Sequence, residues 1–246
     1  MNKVALVTGG SGDIGTAIVK ALHAECEHVF ALDSLPEDVG LAWEKTLHHE
    51  GFNNIHFRKM DVSNYIECER ICADIVEAVG SIDVLINNAG ITRDAVFTKM
   101  TKHQWDEVLT VNLDGMFNVT KQVVEPMRAN GYGRIINISS VNAQKGQFSQ
   151  ANYAASKAGV YGFTKSLAQE LISKQITVNS ISPGYVNTKL MTGIRADILS
   201  SIIEQIPAKR LAEPNEIAHV VTFLTHENSR YITGTTISIN GGLYMA

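Results

Sequence analysis

Seven short runs of β-branched and aliphatic residues recur along the chain, at 4–7, 29–32, 55–57, 84–86, 135–138, 176–181 and 235–239, and helix-length segments separate the first six. Runs this short read as strands, while the intervening segments repeat apolar residues at helical spacing. In the first segment Ile14, Ala17, Ile18, Ala21 and Leu22 share one helical face, and Ile71 and Ile75 do the same in the third. Strands that alternate with helices need crossover connections, which favour a mostly parallel sheet with helices on both faces. The pattern therefore predicts a doubly wound α/β fold with seven strands.

No linker, charge block or internal repeat interrupts the 246 residues, a length one α/β domain can fill, so a single domain over 1–246 is expected. The stretch 187–214 carries Gly193 and Pro207 and reads as short helices on an excursion. That is the form of a lid over a site at the strand ends, and a plain surface insertion fits it equally well. Twenty-one Lys and Arg, scattered among 25 Asp and Glu, give a net charge of −4. This leaves no basic patch for nucleic acid or an anionic membrane and points to a small-molecule partner. Cys26, Cys68 and Cys72 lack the neighbours a zinc site needs and are expected to be reduced thiols on helices, with no metal. No apolar run reaches the ~18 residues of a membrane span, and the N-terminal run is too short for a secretory signal, so a cytoplasmic location is expected.

Directly after the first run, Thr8-Gly9-Gly10-Ser11-Gly12-Asp13-Ile14-Gly15 opens the first helix. Glycine lets the backbone approach a ligand closely, and the unpaired N–H groups at the helix start then face an anion such as a dinucleotide pyrophosphate. Asp13 opposes an anion unless its carboxylate turns away or caps the helix, and capping is the expectation. Asp33 ends the second strand, where a carboxylate accepts from adenosine ribose hydroxyls and repels a 2′-phosphate; NAD(H) is therefore expected ahead of NADP(H). Asp61-Val62 and Asn87-Asn88-Ala89-Gly90 end the third and fourth strands at the same edge.

Three Tyr/Lys pairs stand at i, i+4: Tyr153/Lys157, Tyr161/Lys165 and Tyr185/Lys189. On a helix each ammonium shares a face with its phenol and favours the phenolate. The first pair alone begins a helix shortly after a strand exit, the one carrying Ser140. The second lies two turns deeper and the third follows Pro183-Gly184 in an exit loop, so both are expected to be structural or peripheral. A hydroxyl that holds a carbonyl oxygen while a phenol supplies a proton is what reduction of a carbonyl requires. Asn112, by itself, is one polar residue in a helix.

The glycine turn, Asn87-Asn88-Ala89-Gly90, Asn112, Ser140, Tyr153/Lys157 and Pro183-Gly184 occur in the order and spacing of the short-chain dehydrogenases/reductases. The chain resembles that family along essentially its whole length, departing at Asp13, where the family usually has glycine. The resemblance implies a Rossmann fold and hydride transfer from a nicotinamide cofactor. It makes Tyr153 the general acid, with Lys157 lowering its pKa and holding the nicotinamide ribose, Ser140 orienting the carbonyl and Asn112 positioning a proton-relay water. It assigns the cofactor to Gly9, Ser11, Gly12, Asp13, Ile14, Gly15, Asp33, Asp61, Val62, Asn88, Ala89, Gly90, Pro183, Gly184, Val186 and Thr188, besides Tyr153 and Lys157.

Within the family, residues 140–153, 91–94, 182–185 and the ending from Asn240 resemble those of bacterial acetoacetyl-CoA reductases of polyhydroxybutyrate synthesis. That likeness implies an (R)-3-hydroxybutanoyl-CoA product, a homotetramer, and an acyl-CoA pocket lined by Asp94, Ser140, Gln147, Phe148, Gln150, Tyr185 and Arg195. The 3-oxoacyl-[acyl-carrier-protein] reductases share the catalytic residues and Gln150-Ala-Asn-Tyr153. An acidic carrier protein needs a basic docking patch, however, and near the site entrance stand just Arg128, Arg134 and Lys174. A dinucleotide-sensing binding protein on the same fold would not need the phenol.

Overall fold

Five consecutive buried residues give β1 (Val4–Thr8) no face to offer water. In the computed structural model, which describes residues 3–245, this strand accordingly lies inside a sheet that is covered on both sides. The other strands are β2 (His28–Asp33), β3 (Ile55–Lys59), β4 (Val84–Asn87), β5 (Gly133–Ile138), β6 (Ile176–Pro183) and β7 (Thr236–Ile239). All seven pair in parallel, in the order β3-β2-β1-β4-β5-β6-β7, as the alternation of strand and helix predicts. Helices fill the crossovers: α1 (Asp13–Leu22), α2 (Glu37–His49), α3 (Tyr65–Val79), α4 (Lys102–Leu109), α5 (Gly115–Asn130), α6 (Val141–Lys145), α7 (Ala151–Leu171), α8 (Lys189–Thr192), α9 (Ala196–Gln205) and α10 (Pro214–Thr225).

The alternation of side chains along each strand divides the core into two layers. Ala5, Val7 and Val29 face Ile18 and Leu22 of α1 and Val221 and Leu224 of α10. Leu6, Phe30 and Leu32 face Cys68 and Ile71 of α3 and Val119 and Val123 of α5. Cys68 and Cys72 lie on α3 as expected, whereas Cys26 sits in the turn between α1 and β2 rather than on a helix. All three are free, and burial pushes each thiol up to about 12.

Two interruptions of regular structure shape the site. Between α4 and α5, residues Thr110–Asp114 widen into a π turn with Asn112 at its middle. The excursion after β6 carries α8 and α9, and a parallel bridge between Val186 and Ala212 brings its two ends side by side. No helix among the described residues is long and apolar enough to cross a membrane.

Candidate active site

β1 pairs with β2 on one side and β4 on the other, so the chain runs away in opposite directions on either side of the β1 and β4 exits, and a crevice opens there. Hydrogen bonds stitch its two walls. Thr8 Oγ1 accepts from the backbone N–H of Asn88 and of Ala89, both at 3.0 Å. Asn88 Nδ2 donates to the carbonyls of Thr8 and Gly9, again at 3.0 Å, so its amide nitrogen holds the glycine turn in place. A Cβ on Gly10 would stand 2.7 Å from that of Ala31, and one on Gly15 2.0 Å from the Gly9 carbonyl oxygen. Glycine alone lets α1 start this close to the sheet. The N-terminus of α1 consequently borders a cavity of about 620 Å³, lined also by Asp33, Asp61, Val62, Asn88, Ala89, Gly90 and Thr188. Ser11 Oγ donates to Asp33 Oδ2 at 2.5 Å, tying the carboxylate at the end of β2 to the glycine turn. A narrow cradle of N–H groups, a fixed carboxylate beyond it and a shelf of small residues fit a dinucleotide.

One sequence expectation about this crevice is corrected by the structure. Asp13 does not cap its own helix: the N-cap is Gly12, and Asp13 Oδ2 accepts from the backbone N–H of Lys189 at 2.6 Å. Of the residues expected to hold the cofactor, Ser11, Tyr153, Lys157, Pro183, Gly184 and Val186 are not part of this lining; Pro183 ends β6 and Val186 is buried in the bridge to Ala212. Arg93 and Glu107, which the sequence reading passed over, do line the cavity, and they pair with each other at 2.5 Å.

Deeper in the molecule, three hydrogen bonds pin α7 against the exit of β5. Ser139 Oγ donates to the Lys157 carbonyl at 2.7 Å, Lys157 Nζ to the Ile138 carbonyl at 2.7 Å, and Tyr161 Oη to the Ser140 carbonyl at 3.1 Å. Strand exit and helix start meet as the sequence predicts. Ser140 is the N-cap of α6, and its Oγ accepts from Asn142 N–H at 3.2 Å, which leaves its own O–H free to donate. Burial pushes the Tyr153 phenol up, and the Ser140 hydroxyl beside it pulls the other way. Lys157 is fully buried, and burial pushes its ammonium down to about 8. In the resting structure burial dominates the Tyr153 phenol, while the Lys157 ammonium is bonded to the Ile138 carbonyl.

Asn112 acts on backbone. Its Oδ1 accepts from Ile91 N–H at 2.8 Å, and its Nδ2 donates to the Ile91 carbonyl at 3.0 Å and to Ser156 Oγ at 3.2 Å. Both ends of the amide bond to the Ile91 backbone, so Asn112 fixes the loop that follows β4. A Cβ on Gly90 would stand 3.3 Å from both Asn112 Oδ1 and Lys157 Nζ, which places the shelf glycine between these two groups.

The residues expected to hold the acyl substrate separate into two groups. Gln150 Nε2 donates to Asp94 Oδ2 at 2.9 Å, and Gln150 Oε1 accepts from Asn142 Nδ2 at 2.9 Å, so Asp94 and Gln150 are linked to the turn after Ser140. Gln147 Oε1 accepts from Lys145 Nζ at 2.6 Å, and Phe148 next to it is 80% exposed. Tyr185 and Arg195 lie apart from these. Tyr185 lines a cavity of about 90 Å³ with Ile206 and Asn240, and Arg195 is paired with Asp197 at 2.6 Å, which occupies the guanidinium expected to meet a phosphate. Sequence reasoning missed Asn142, for which it held no signal, and the contact of Tyr161 with Ser140. A signal for the latter existed: Tyr161 stands one turn beyond Lys157 on the same helical face.

The family model described as short chain dehydrogenase matches residues 3–199. An acetoacetyl-CoA reductase of Allochromatium vinosum is 49% identical over alignments covering 100% of both chains. Nodulation protein G of Azospirillum brasilense is 49% identical over 98% of each chain. A 3-oxoacyl-[acyl-carrier-protein] reductase of Staphylococcus epidermidis is 39% identical over 100% of each.

Proposed function

Because the chain belongs to the short-chain dehydrogenase family, we propose that it reduces acetoacetyl-CoA to (R)-3-hydroxybutanoyl-CoA, with NADH preferred over NADPH. The observation that carries the reading is a Ser140 hydroxyl with a free proton beside the Tyr153 phenol, on a strand exit that α7 is bonded to. The glycine turn, Asp33 and the Ala89-Gly90 shelf would hold a nicotinamide cofactor, which would supply the hydride. Ser140 donates to the substrate carbonyl oxygen and fixes its direction. Tyr153 gives its proton to that oxygen as negative charge gathers there, leaving a phenolate that the Lys157 ammonium, when charged, stabilises. Asn112 keeps the loop after β4 in register with this pair through Ile91.

One comparison favours a CoA thioester over a carrier-protein thioester: the acetoacetyl-CoA reductase is 49% identical, against 39% for the carrier-protein reductase. Arg128, Arg134 and Lys174, expected near the site entrance, do not bear on the choice, because they stand at the entry ends of β5 and β6, the opposite edge of the parallel sheet from Ser140. The same reading makes the enzyme a cytoplasmic homotetramer, and sedimentation at four times the 26.9 kDa chain mass tests the assembly. Acetoacetyl-CoA, the acetoacetyl carrier-protein thioester and 3-oxo-octanoyl-CoA, each assayed with NADH and NADPH, test the substrate. Acetoacetyl-CoA should give the highest kcat/KM, and a preference of about tenfold for the carrier-protein thioester would move the chain to the fatty-acid reductase reading.

A further inference from the structure

The excursion after β6 is held at both ends and loosely between them. At its base Val186 bridges Ala212, Asn187 N–H donates to the Ala212 carbonyl at 2.8 Å, and Ala212 N–H donates to the Tyr185 carbonyl at 2.9 Å. At its far end Ile206 is buried, and Ala208 N–H donates to the Gly241 carbonyl at 3.0 Å. Helix α9, in between, has no fully buried residue, although Ile198, Leu199, Ile202 and Ile203 make much of it apolar. A segment with so few buried contacts is expected to open easily.

Against that background one bond is out of place in the family pattern. Asp13 stands where the short-chain dehydrogenases usually have glycine, at the first position of α1 and in the wall of the main cavity. Its carboxylate does not turn into its own helix; it reaches a residue 176 positions away, accepting from the first N–H of α8 at 2.6 Å. Thr188, the residue before that N–H, lines the same cavity. The bond therefore fastens the start of the excursion to the glycine turn at the wall of that cavity. The backbone N–H it satisfies would otherwise be one of the unpaired donors at a helix start.

We propose that Asp13 is a positioning residue: it clasps the start of the lid to the glycine turn, so that the lid closes over substrate on a cradle already built for the cofactor. The proposal rests on the reductase reading for its substrate and on geometry alone for the clasp. A charged acceptor makes this a strong bond for an exposed position, and its loss falls on substrate capture, not on proton transfer, because Asp13 shares no hydrogen bond with Ser140 or Tyr153. Removing a carboxylate beside the pyrophosphate cradle also relieves a like-charge contact, so cofactor affinity should hold or rise.

The test compares Asp13→Ala with Asp13→Asn, which keeps a side-chain oxygen acceptor. Amide hydrogen exchange reports the clasp without any turnover: in Asp13→Ala, exchange at 188–192 should accelerate about tenfold, with and without NADH, while α1 stays protected. KM for acetoacetyl-CoA should rise about fivefold with kcat within about twofold, and the dissociation constant for NADH should stay level or fall. Asp13→Asn should restore both the slow exchange and most of the KM. Unchanged exchange in Asp13→Ala, or an Asp13→Asn variant that behaves like Asp13→Ala, would overturn the proposal. Failure of the parent enzyme to reduce any acyl thioester would instead sink the substrate reading, and the exchange result would still decide the clasp.

Discussion

Tyr153 and Tyr161 stand two turns apart on one helix, and they differ in what each hydroxyl touches. Tyr161 Oη already donates to the Ser140 carbonyl and lies 3.3 Å from Ser182 Oγ, so its proton is engaged in holding the strand exit. Tyr153, beside the Ser140 hydroxyl, has its proton to give. Tyr153→Phe should lower turnover by about a hundredfold or more with NADH affinity nearly intact, whereas Tyr161→Phe should stay active and lose about 1 kcal/mol of stability in urea denaturation. Near-normal turnover of Tyr153→Phe would remove its assignment. Lys157 gives a second residue-scale expectation, in pH. Burial lowers its pKa from 10.5 to about 8, so between those pH values the unfolded chain carries a proton that the folded protein has released. Stability attributable to this group accordingly rises with pH across that window, and below pH 8 the buried charge costs about 3 kcal/mol. Lys157→Met should be inactive yet more stable than the parent near pH 7, by about 2 kcal/mol once the lost bond to Ile138 is counted. The gain should fade toward pH 10.5. Denaturation midpoints of both proteins across that range check it, since the three buried thiols titrate alike in each and cancel in the difference.

At the scale of elements, the π turn at Thr110–Asp114 shows most clearly what one sequence discloses and what it withholds. Asn112 there pairs with Ile91 through both ends of its amide, as a neighbouring strand would. Asn112→Leu keeps the bulk and leaves the Ile91 N–H and carbonyl without these partners, so a stability loss of about 2 kcal/mol is expected. NADH affinity should weaken about tenfold as the Gly90 shelf loosens, measured by calorimetric titration; unchanged affinity would break the link from Asn112 to the shelf. The central strands of the sheet were legible because each is a short β-branched run, and burial on both faces demands such a run. The turn was not, because its cause is a contact between residues 21 positions apart that neither segment announces. Asn87 and Asn137 are a comparable case. Each interrupts an apolar strand, yet the two lie in register on β4 and β5, bonded at 2.8 Å and extended to Thr120 and Thr164. Periodicity registers such residues as breaks in pattern, and the partners that make them tolerable become visible only when the strands are assembled. The same limit applies to Asp13, whose carboxylate was expected to cap the helix it begins and instead meets the lid.

Across the whole molecule, the crevice between β1 and β4 divides the sheet into a half that would meet the adenosine end of the cofactor and a half that carries Ser140, Tyr153 and Lys157. The charge of the first half decides which cofactor fits. Asp33 and Asp61 line the cavity there, and Arg93, the cation in the described lining, is neutralised by Glu107 at 2.5 Å. A carboxylate free to swing outward would discriminate weakly, but the Ser11 hydroxyl holds Asp33 at 2.5 Å. Lys59, overlooked in the linear sequence, lies in register beside Asp33 on β3, yet it is not part of the cavity lining. A 2′-phosphate placed near a fixed Asp33 meets like charge at a few ångströms, a penalty of about 1–3 kcal/mol, or roughly ten- to hundredfold in affinity. NADH should therefore exceed NADPH in kcat/KM by about tenfold or more. Asp33→Ala should narrow that ratio chiefly by improving NADPH, and Lys59→Ala should leave it where it is. Equal use of the two cofactors by the parent enzyme would refute the charge argument, and a collapse of NADPH use in Lys59→Ala would show that this lysine, reaching over the edge of β3, supplies the counter-charge that the cavity wall lacks.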